Sequence, residues 1–298
     1  MLLSSPLRIF WRVTGASGRP DDSLIVSIVR AIAAARPFEV ALSGAPLEVE
    51  SLPELLSPIT GAGISITVID RPERIASLNA AANSGLKAVA LVSGIDDLRV
   101  LAERCQPEVF TMDTVHVSPE WNVLKYLAEM LPQLAYSGVR RVVIPNPDLI
   151  SSGAGDVSPY VYGPERIARL AASLEEVYCT TGIPALIAHD LFLARALGLG
   201  SPEYGGCQAG NAVCFISPDG TVYPCATLPV PLGNLTEVSL KAVWADAKRR
   251  ELVGKISTMP ACCVSCDLLA SCLGGCRGMA YAAGGGFDVP DPGCGLVG

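Results

Sequence analysis

The sequence predicts an α/β protein, a TIM-like (β/α) barrel, complete or partial, followed by a small cysteine-rich domain. Three observations predict it. Short runs dense in Val and Ile alternate about seven times with helical stretches through residues 1–200. Nine of the eleven cysteines fall between residues 207 and 294. The stretch LGLGSPEYGG (197–206) lies between these regions, and its Gly, Ser and Pro content marks a turn-rich connection. The boundary is therefore expected near residue 200, dividing the chain into 1–200 and 201–298.

In chain order, the strand-like runs are 7–14 (LRIFWRVT), 38–43, 64–70, 87–93, 108–113 (EVFTMD), 140–145 and 183–189. Most show little apolar/polar alternation, as expected for parallel strands covered on both faces. Helices are expected at 22–36, 51–62, 72–84, 95–105, 120–137, 163–180 and 191–198. Asp21 or Asp22 can cap the first, and Pro72 and Pro164 stand where a first helical turn tolerates proline. Pro132 is expected to kink or end the helix that begins near Trp121. Alternation alone also fits a doubly wound open sheet.

Half of the residues are hydrophobic and 17% are charged, so a large core is easily buried. The net charge of −7 and the lack of a basic run argue against nucleic acid or an anionic membrane as partner. Arg8 and Arg12 interrupt the apolar N-terminal residues, and no apolar run reaches the ~18 residues of a membrane span. A cytoplasmic location is expected, a reducing compartment where thiolates persist and structural disulfides are rare.

The cysteine run reads Cys207-QAGNAV-Cys214-FISPDGTVYP-Cys225, then Cys262-Cys263-VS-Cys266-DLLAS-Cys272-LGG-Cys276, then DPG-Cys294. Sets of four thiolates suit a [4Fe–4S] cluster or an all-cysteine zinc site. The Cys263-x-x-Cys266 pair puts two sulfurs on one side of a tight loop, with Cys272, Cys276 and Cys294 behind. Gly274 and Gly275 predict a turn between Cys272 and Cys276. A disulfide framework suits small secreted domains better than this chain with its odd cysteine count. Zinc sites often recruit histidine, and none lies here, though spacing alone permits zinc. Cys262 reads as a bystander, and Cys105 and Cys179 as buried structural residues.

The order Cys207-x12-Gly220-x4-Cys225, then Cys263-x2-Cys266-x5-Cys272-x3-Cys276 and Cys294, resembles SPASM domains, the auxiliary-cluster domains of radical SAM peptide-modifying enzymes. The hairpin FISPDGTVYPC, Gly233-Asn234 and the SLKAVW helix are similar to that family too. The resemblance implies two [4Fe–4S] clusters. Cys207, Cys214, Cys225 and Cys276 would hold one, and Cys263, Cys266, Cys272 and Cys294 the other.

It also implies a partial barrel of the radical SAM type over residues 1–200, and here the chain departs from the family. The loop after the first strand reads GASGRPDDS, where the family has Cys-x3-Cys-x2-Cys, and the first cysteine of the chain is Cys105. After the second strand Ser43-Gly44-Ala45-Pro46 replaces Gly-Gly-Glu, with Glu48 out of register. No S-adenosylmethionine is expected to bind. The combination resembles the SPASM-domain companion proteins of GeoRSP systems. That implies a non-catalytic accessory role by electron relay, substrate binding or complex assembly. The implied partners are a radical SAM/SPASM maturase, its peptide substrate or a small peptide-binding chaperone.

The competing readings are a barrel enzyme with a non-radical activity and a zinc-binding structural module. Asp113, His116, His189 and Asp190 lie at or just past strand ends, where barrel active sites are built. The sequence carries no HExxH and no phosphate loop, and the glycines of 274–286 precede no Gly-Lys-Ser/Thr. Trp244, with Leu240 and Val243, reads as the apolar face of a helix.

Overall fold

The computed structural model describes residues 2–15, 18–79, 86–104, 113–153, 156–178, 183–197, 206–284 and 286–294. Seven parallel strands follow one another across the sheet: β1 (Arg8–Arg12), β2 (Glu39–Ser43), β3 (Ser65–Asp70), β4 (Lys87–Val92), β5 (Thr114–Val117), β6 (Arg141–Ile144) and β7 (Ala185–Ala188). On the other side of β1 the sheet continues with β8 (Val213–Ile216), β9 (Thr221–Tyr223) and β10 (Gly233–Asn234), in the order β10-β9-β8-β1-β2-β3-β4-β5-β6-β7. β8 runs parallel to β1, with Ile9 opposite Cys214 and Trp11 opposite Ile216. β9 and β10 return antiparallel. Much of the expected connection, residues 198–205, lies outside the described residues, and the sheet runs on across it.

The sheet curls without closing. Flat, the five strand spacings from β1 to β6 would span about 24 Å. Arg12 on β1 nevertheless reaches Asp148 beyond β6 at 3.3 Å, so the strand ends bend around a common axis. Among the described residues, β7 pairs only with β6. The structure is thus a partial barrel.

Burial along the strands alternates, against the expectation of two covered faces. Ile9, Trp11, Val40, Leu42, Val115, Val117, Val142 and Ile144 are fully buried and belong to the same core as Ile25, Ile28 and Ile32 of the helix Asp22–Ala35 and Leu127, Met130 and Leu131 of the helix Leu127–Tyr136. The intervening residues, such as Phe10, Leu91, His116 and Val143, are half-buried, and Ile187 is 42% exposed. One face of the sheet is sealed by helices, and the other lines the trough.

Asp21 caps the first helix, its Oδ1 accepting the Leu24 N–H at 2.8 Å. The expected helix 51–62 is two pieces, Leu52–Leu55 and Ser57–Gly61. Pro58 disfavours helical backbone at Ser57 but fits the start of a new helix. The expected helix 120–137 breaks at Lys125–Tyr126, and Pro132 lies inside its second piece. There the carbonyl that proline crowds, that of Ala128, belongs to the helix's first turn. Among the described residues the strand in this region is Thr114–Val117. Its register on β4, Ala90 opposite Val115, buries Val115 and Val117, and residues 108–112 lie outside the described set. Among the described residues no helix is long and apolar enough to cross a membrane.

Candidate metal centre

The cysteine-rich region starts from a tight hairpin. In its turn Gly220 has φ +82°, and Asp219 accepts the Thr221 N–H at 3.2 Å. The strands bring Gly210 beside Pro224, whose carbonyl accepts the Gly210 N–H at 3.0 Å, so Cys207 and Cys225 end at one place. The helix Arg277–Gly284 supplies Cys276 just before its first residue. Its Gly278 presses on Thr227, where a Cβ would stand 3.0 Å from the threonine Cβ. Cys276 is raised well above the ordinary thiol range by burial, then by Asp291, Cys207 and Cys225. Burial and then Cys207 push Cys225 up to about 12. Backbone N–H groups already point at these sulfurs: Ala209 and Arg277 at Cys207, Thr227 and Leu228 at Cys225, Met279 at Cys276. Amide donors stabilise thiolates, and a bound metal would displace the protons that burial otherwise retains.

The second group lines one small, partly open pocket, formed by Cys263, Cys266, Cys272 and Cys294 with Phe192, Leu268 and Leu269 as apolar wall. The turn expected of Cys-x-x-Cys is present, with the Cys266 N–H on the Cys263 carbonyl at 3.1 Å. After the helix Leu269–Cys272, three successive residues take the left-handed conformation: Leu273 (φ +48°), Gly274 (+83°) and Gly275 (+74°). This turns the Gly274 N–H toward the Cys272 sulfur, while the Gly275 N–H donates to the Cys272 carbonyl at 3.0 Å. Gly275 permits a close approach, since a Cβ there would stand 2.6 Å from the Cβ of Asp291. Asp291 is buried and joins the two groups, accepting the Cys276 N–H at 2.6 Å and the Gly293 N–H at 2.8 Å. Its carboxyl is raised to about 6 by burial. Cys262 also lines the pocket, with its sulfur 3.9 Å from that of Cys263. Burial and then Cys262 raise Cys263 to about 11.

Cys214 is placed differently. It is fully buried on β8 in the apolar core with Ile9 and Ile216, and burial alone raises its thiol. Among the described residues no neighbouring thiol contributes to that rise. Cys105 and Cys179 lie outside the described residues. A mononuclear zinc site needs sulfurs about 3.8 Å apart, from Zn–S bonds of about 2.3 Å in a tetrahedron. Among the described residues no three His, Cys, Asp or Glu side chains form a group that could hold a single ion. Four thiols around one pocket are the donor set that a [4Fe–4S] cluster takes.

A family model for SPASM, an iron–sulfur cluster-binding domain, matches residues 207–267. The chain carries a SPASM domain. Two relatives extend the comparison. The AdoMet-dependent heme synthase of Methanosarcina barkeri is 35% identical over 89 residues, 30% of this chain and 25% of that protein. The PqqA peptide cyclase of Granulibacter bethesdensis is 26% identical over 239 residues, 76% of this chain and 58% of that protein. The chain thus spans between a quarter and about three-fifths of the length of these curated relatives. In fold it is similar to Streptococcus suis SuiB, whose crystal structure bound to S-adenosylmethionine aligns with 99% of this chain and 78% of that one. The TM-score is 0.70 at 17% identity. The fold expected from the sequence, a partial β/α barrel followed by a SPASM domain, is the one found.

At the barrel mouth the SPASM domain leans on the barrel. Ala226 accepts the Leu149 N–H at 3.0 Å, and the Thr227 hydroxyl donates to the Pro147 carbonyl at 2.8 Å. Below this contact Arg12 crosses to Asp148, and both the amide and the hydroxyl of Thr14 donate to the Gly44 carbonyl. Gly44 (φ +72°) allows this contact, because a Cβ would stand 2.6 Å from the Thr14 carbonyl oxygen and from Arg12 Cγ. Glu48 faces away and pairs with Arg74. Of the strand-end residues, Asp113 pairs with Arg141, and Asp190 accepts the Leu193 N–H at 2.7 Å in a helix cap. In the trough burial and then His189 lower His116, on which Glu39 and Arg8 also act, and burial and then Arg8 lower His189.

Two residues of the site escaped the sequence reading, Asp291 and Arg277. Their signals, an acidic residue three before Cys294 and a basic one directly after Cys276, are single letters with no spacing rule behind them.

Proposed function

We propose that this chain is a non-catalytic iron–sulfur accessory protein, a degenerate barrel over 1–200 bearing a SPASM domain with two [4Fe–4S] clusters. Cys263, Cys266, Cys272 and Cys294 hold one. Cys207, Cys225 and Cys276 hold the other, for which the family resemblance implies Cys214 as fourth ligand. It serves a radical SAM/SPASM maturase acting on a peptide, by electron relay, substrate binding or complex assembly, in the cytoplasm. When bound, the clusters supply one-electron transfer. The chain's own residues hold them, direct amide N–H groups at their sulfurs and screen them from water with Phe192, Leu268 and Leu269.

The observation that carries the accessory reading is the barrel mouth. The loop after β1, GASGRPDDS, holds no cysteine, no acidic residue stands at 43–46, and the strand ends are tied together by Arg12–Asp148 and Thr14–Gly44. S-adenosylmethionine chemistry would require a three-cysteine cluster there.

Anaerobically purified protein is tested for iron, sulfide and S-adenosylmethionine cleavage. About eight iron and eight sulfide per chain are expected, with no 5′-deoxyadenosine after dithionite reduction and a changed peptide turnover when a complete radical SAM/SPASM enzyme is added. Deoxyadenosine formed by this protein alone would overturn the accessory role, and zinc without iron would overturn the clusters. The barrel-enzyme reading keeps one observation, the His116–His189 pair beside Glu39. Activity surviving cluster removal and lost in His189→Ala would favour it.

A further inference from the structure

Arg277 is 1% exposed, among the largest fully buried side chains of the protein. Its Nη1 donates to the carbonyls of Phe287 (3.1 Å) and Val289 (3.0 Å), and Nη2 donates to the Gly274 carbonyl. Nε has no hydrogen-bond partner. Arg277 belongs to none of the ion pairs among the described residues. Asp291 feels its charge, but both oxygens of that carboxyl accept backbone N–H groups of Cys276 and Gly293. The guanidinium is therefore a buried positive charge held by neutral carbonyls, an arrangement that is costly unless negative charge lies nearby.

The position of that charge indicates where the compensation comes from. Arg277 directly follows Cys276. Its guanidinium holds the Gly274 carbonyl, between Cys272 and Cys276, together with the Phe287 and Val289 carbonyls of the segment leading to Cys294. It therefore stands where the two thiol groups meet, and its charge acts on Cys207 and Cys263, one thiol from each group. Gly274 leaves it room, since a Cβ there would stand 3.4 Å from Cζ. Four thiolates outweigh the positive charge of a [4Fe–4S] core, and net charge is one of the levers that set a cluster's potential. We propose that Arg277 is the shared counter-charge of two iron–sulfur centres, standing between them and raising the reduction potential of both. The inference rests on the two-cluster reading. Each centre gains one electron from a reductant such as dithionite, and a fixed cation stabilises the added negative charge. Arg277 acts through the clusters' surroundings and is a positioning and electrostatic residue, not a ligand.

The test compares wild type, Arg277→Gln and Arg277→Lys, purified anaerobically, by iron and sulfide content and by redox titration followed by electron paramagnetic resonance. In Arg277→Gln, iron content stays near wild type and both midpoints move to more negative potential. In Arg277→Lys most of that shift is recovered. Full iron with unchanged midpoints in Arg277→Gln overturns the inference and leaves the clusters standing. Lost iron with the surviving cluster at its wild-type potential also overturns it, in favour of packing alone. Should Arg277→Gln not accumulate folded, Arg277→Lys decides: wild-type iron and midpoints support the charge, and lost iron refutes it. A wild type without iron–sulfur centres would instead remove the two-cluster reading itself.

Discussion

Gly275→Ala, compared with Gly274→Ala, tests whether the turn after Cys272 and the segment ending at Cys294 form one unit. Both glycines have left-handed backbone, φ +74° and +83°, so alanine costs about 1–2 kcal/mol at either position. The neighbourhoods differ. At Gly274 the nearest atom to a new Cβ is Pro260 Cδ at 3.3 Å, which can yield. At Gly275 it would stand 2.6 Å from Asp291 Cβ and 2.7 Å from its Oδ2, and overpacking adds about 1–3 kcal/mol. Asp291 also accepts the Gly293 N–H, and its carbonyl accepts the Cys294 N–H at 2.9 Å, so displacing it draws Cys294 away from Cys272. Gly275→Ala is expected to lose about half the iron, the share of one of two clusters. Gly274→Ala is expected to keep its iron and to lower the thermal midpoint by about 2–8 °C, at about 2–4 °C per kcal/mol. The assay is iron per chain and thermal unfolding of the anaerobic protein. Equal iron and equal midpoints in the two variants would refute the reasoning.

The ligand groups predict a partition of iron. Cys266→Ala or Cys294→Ala removes one cluster, Cys225→Ala or Cys276→Ala the other, and Cys105→Ala or Cys179→Ala leaves iron unchanged, all read by iron content and absorption. Cys214→Ala is expected to lose about four irons, as the fourth ligand the resemblance implies, and unchanged iron would instead leave Cys214 a core residue among Ile9 and Ile216. His116 gives a pH signature, because burial, and then His189, lower its pKa to about 4 against about 6.5 in an unfolded chain. As pH falls from about 6.5 toward 4 the unfolded state takes up the proton first, so stability falls, by up to about 3 kcal/mol. His116→Asn should flatten that slope in denaturant unfolding. The difference between the two profiles cancels the opposite contribution of Asp291, whose raised carboxyl favours the folded state at low pH.

The fold was legible where local chemistry is strong. Val- and Ile-dense runs gave six of the seven barrel strands to within a few residues, and Asp21, Pro72 and Pro164 marked helix starts. Reading failed where the deciding partner is distant. The strand Thr114–Val117 takes its register from β4, which buries Val115 and Val117, and no local pattern marked it, while most of EVFTMD lies outside the described residues. Apolar runs also concealed the half-open face, because Phe10 and Ile187 look like core residues until the sheet curls and leaves them in the trough. At the site, thiol spacing identified both ligand-bearing loops and the turn at Gly274–Gly275. Arg277 and Asp291 were invisible because their importance comes from burial between those loops, which no local pattern encodes.

The pairing of β8 with β1 has a consequence for how the chain matures. β1 lies in the interior of the sheet, yet one of its two neighbours is about 200 residues further along the chain. Until that partner is synthesised, Ile9 and Trp11 belong to an unpaired parallel edge, and such non-local pairing forms slowly. The barrel therefore completes its sheet only after Cys207 and Cys214 have emerged from the ribosome. Completion of the sheet and closure of the first thiol group are then late steps of one event. A chain shortened near residue 200 would keep that edge exposed and open to association with other copies.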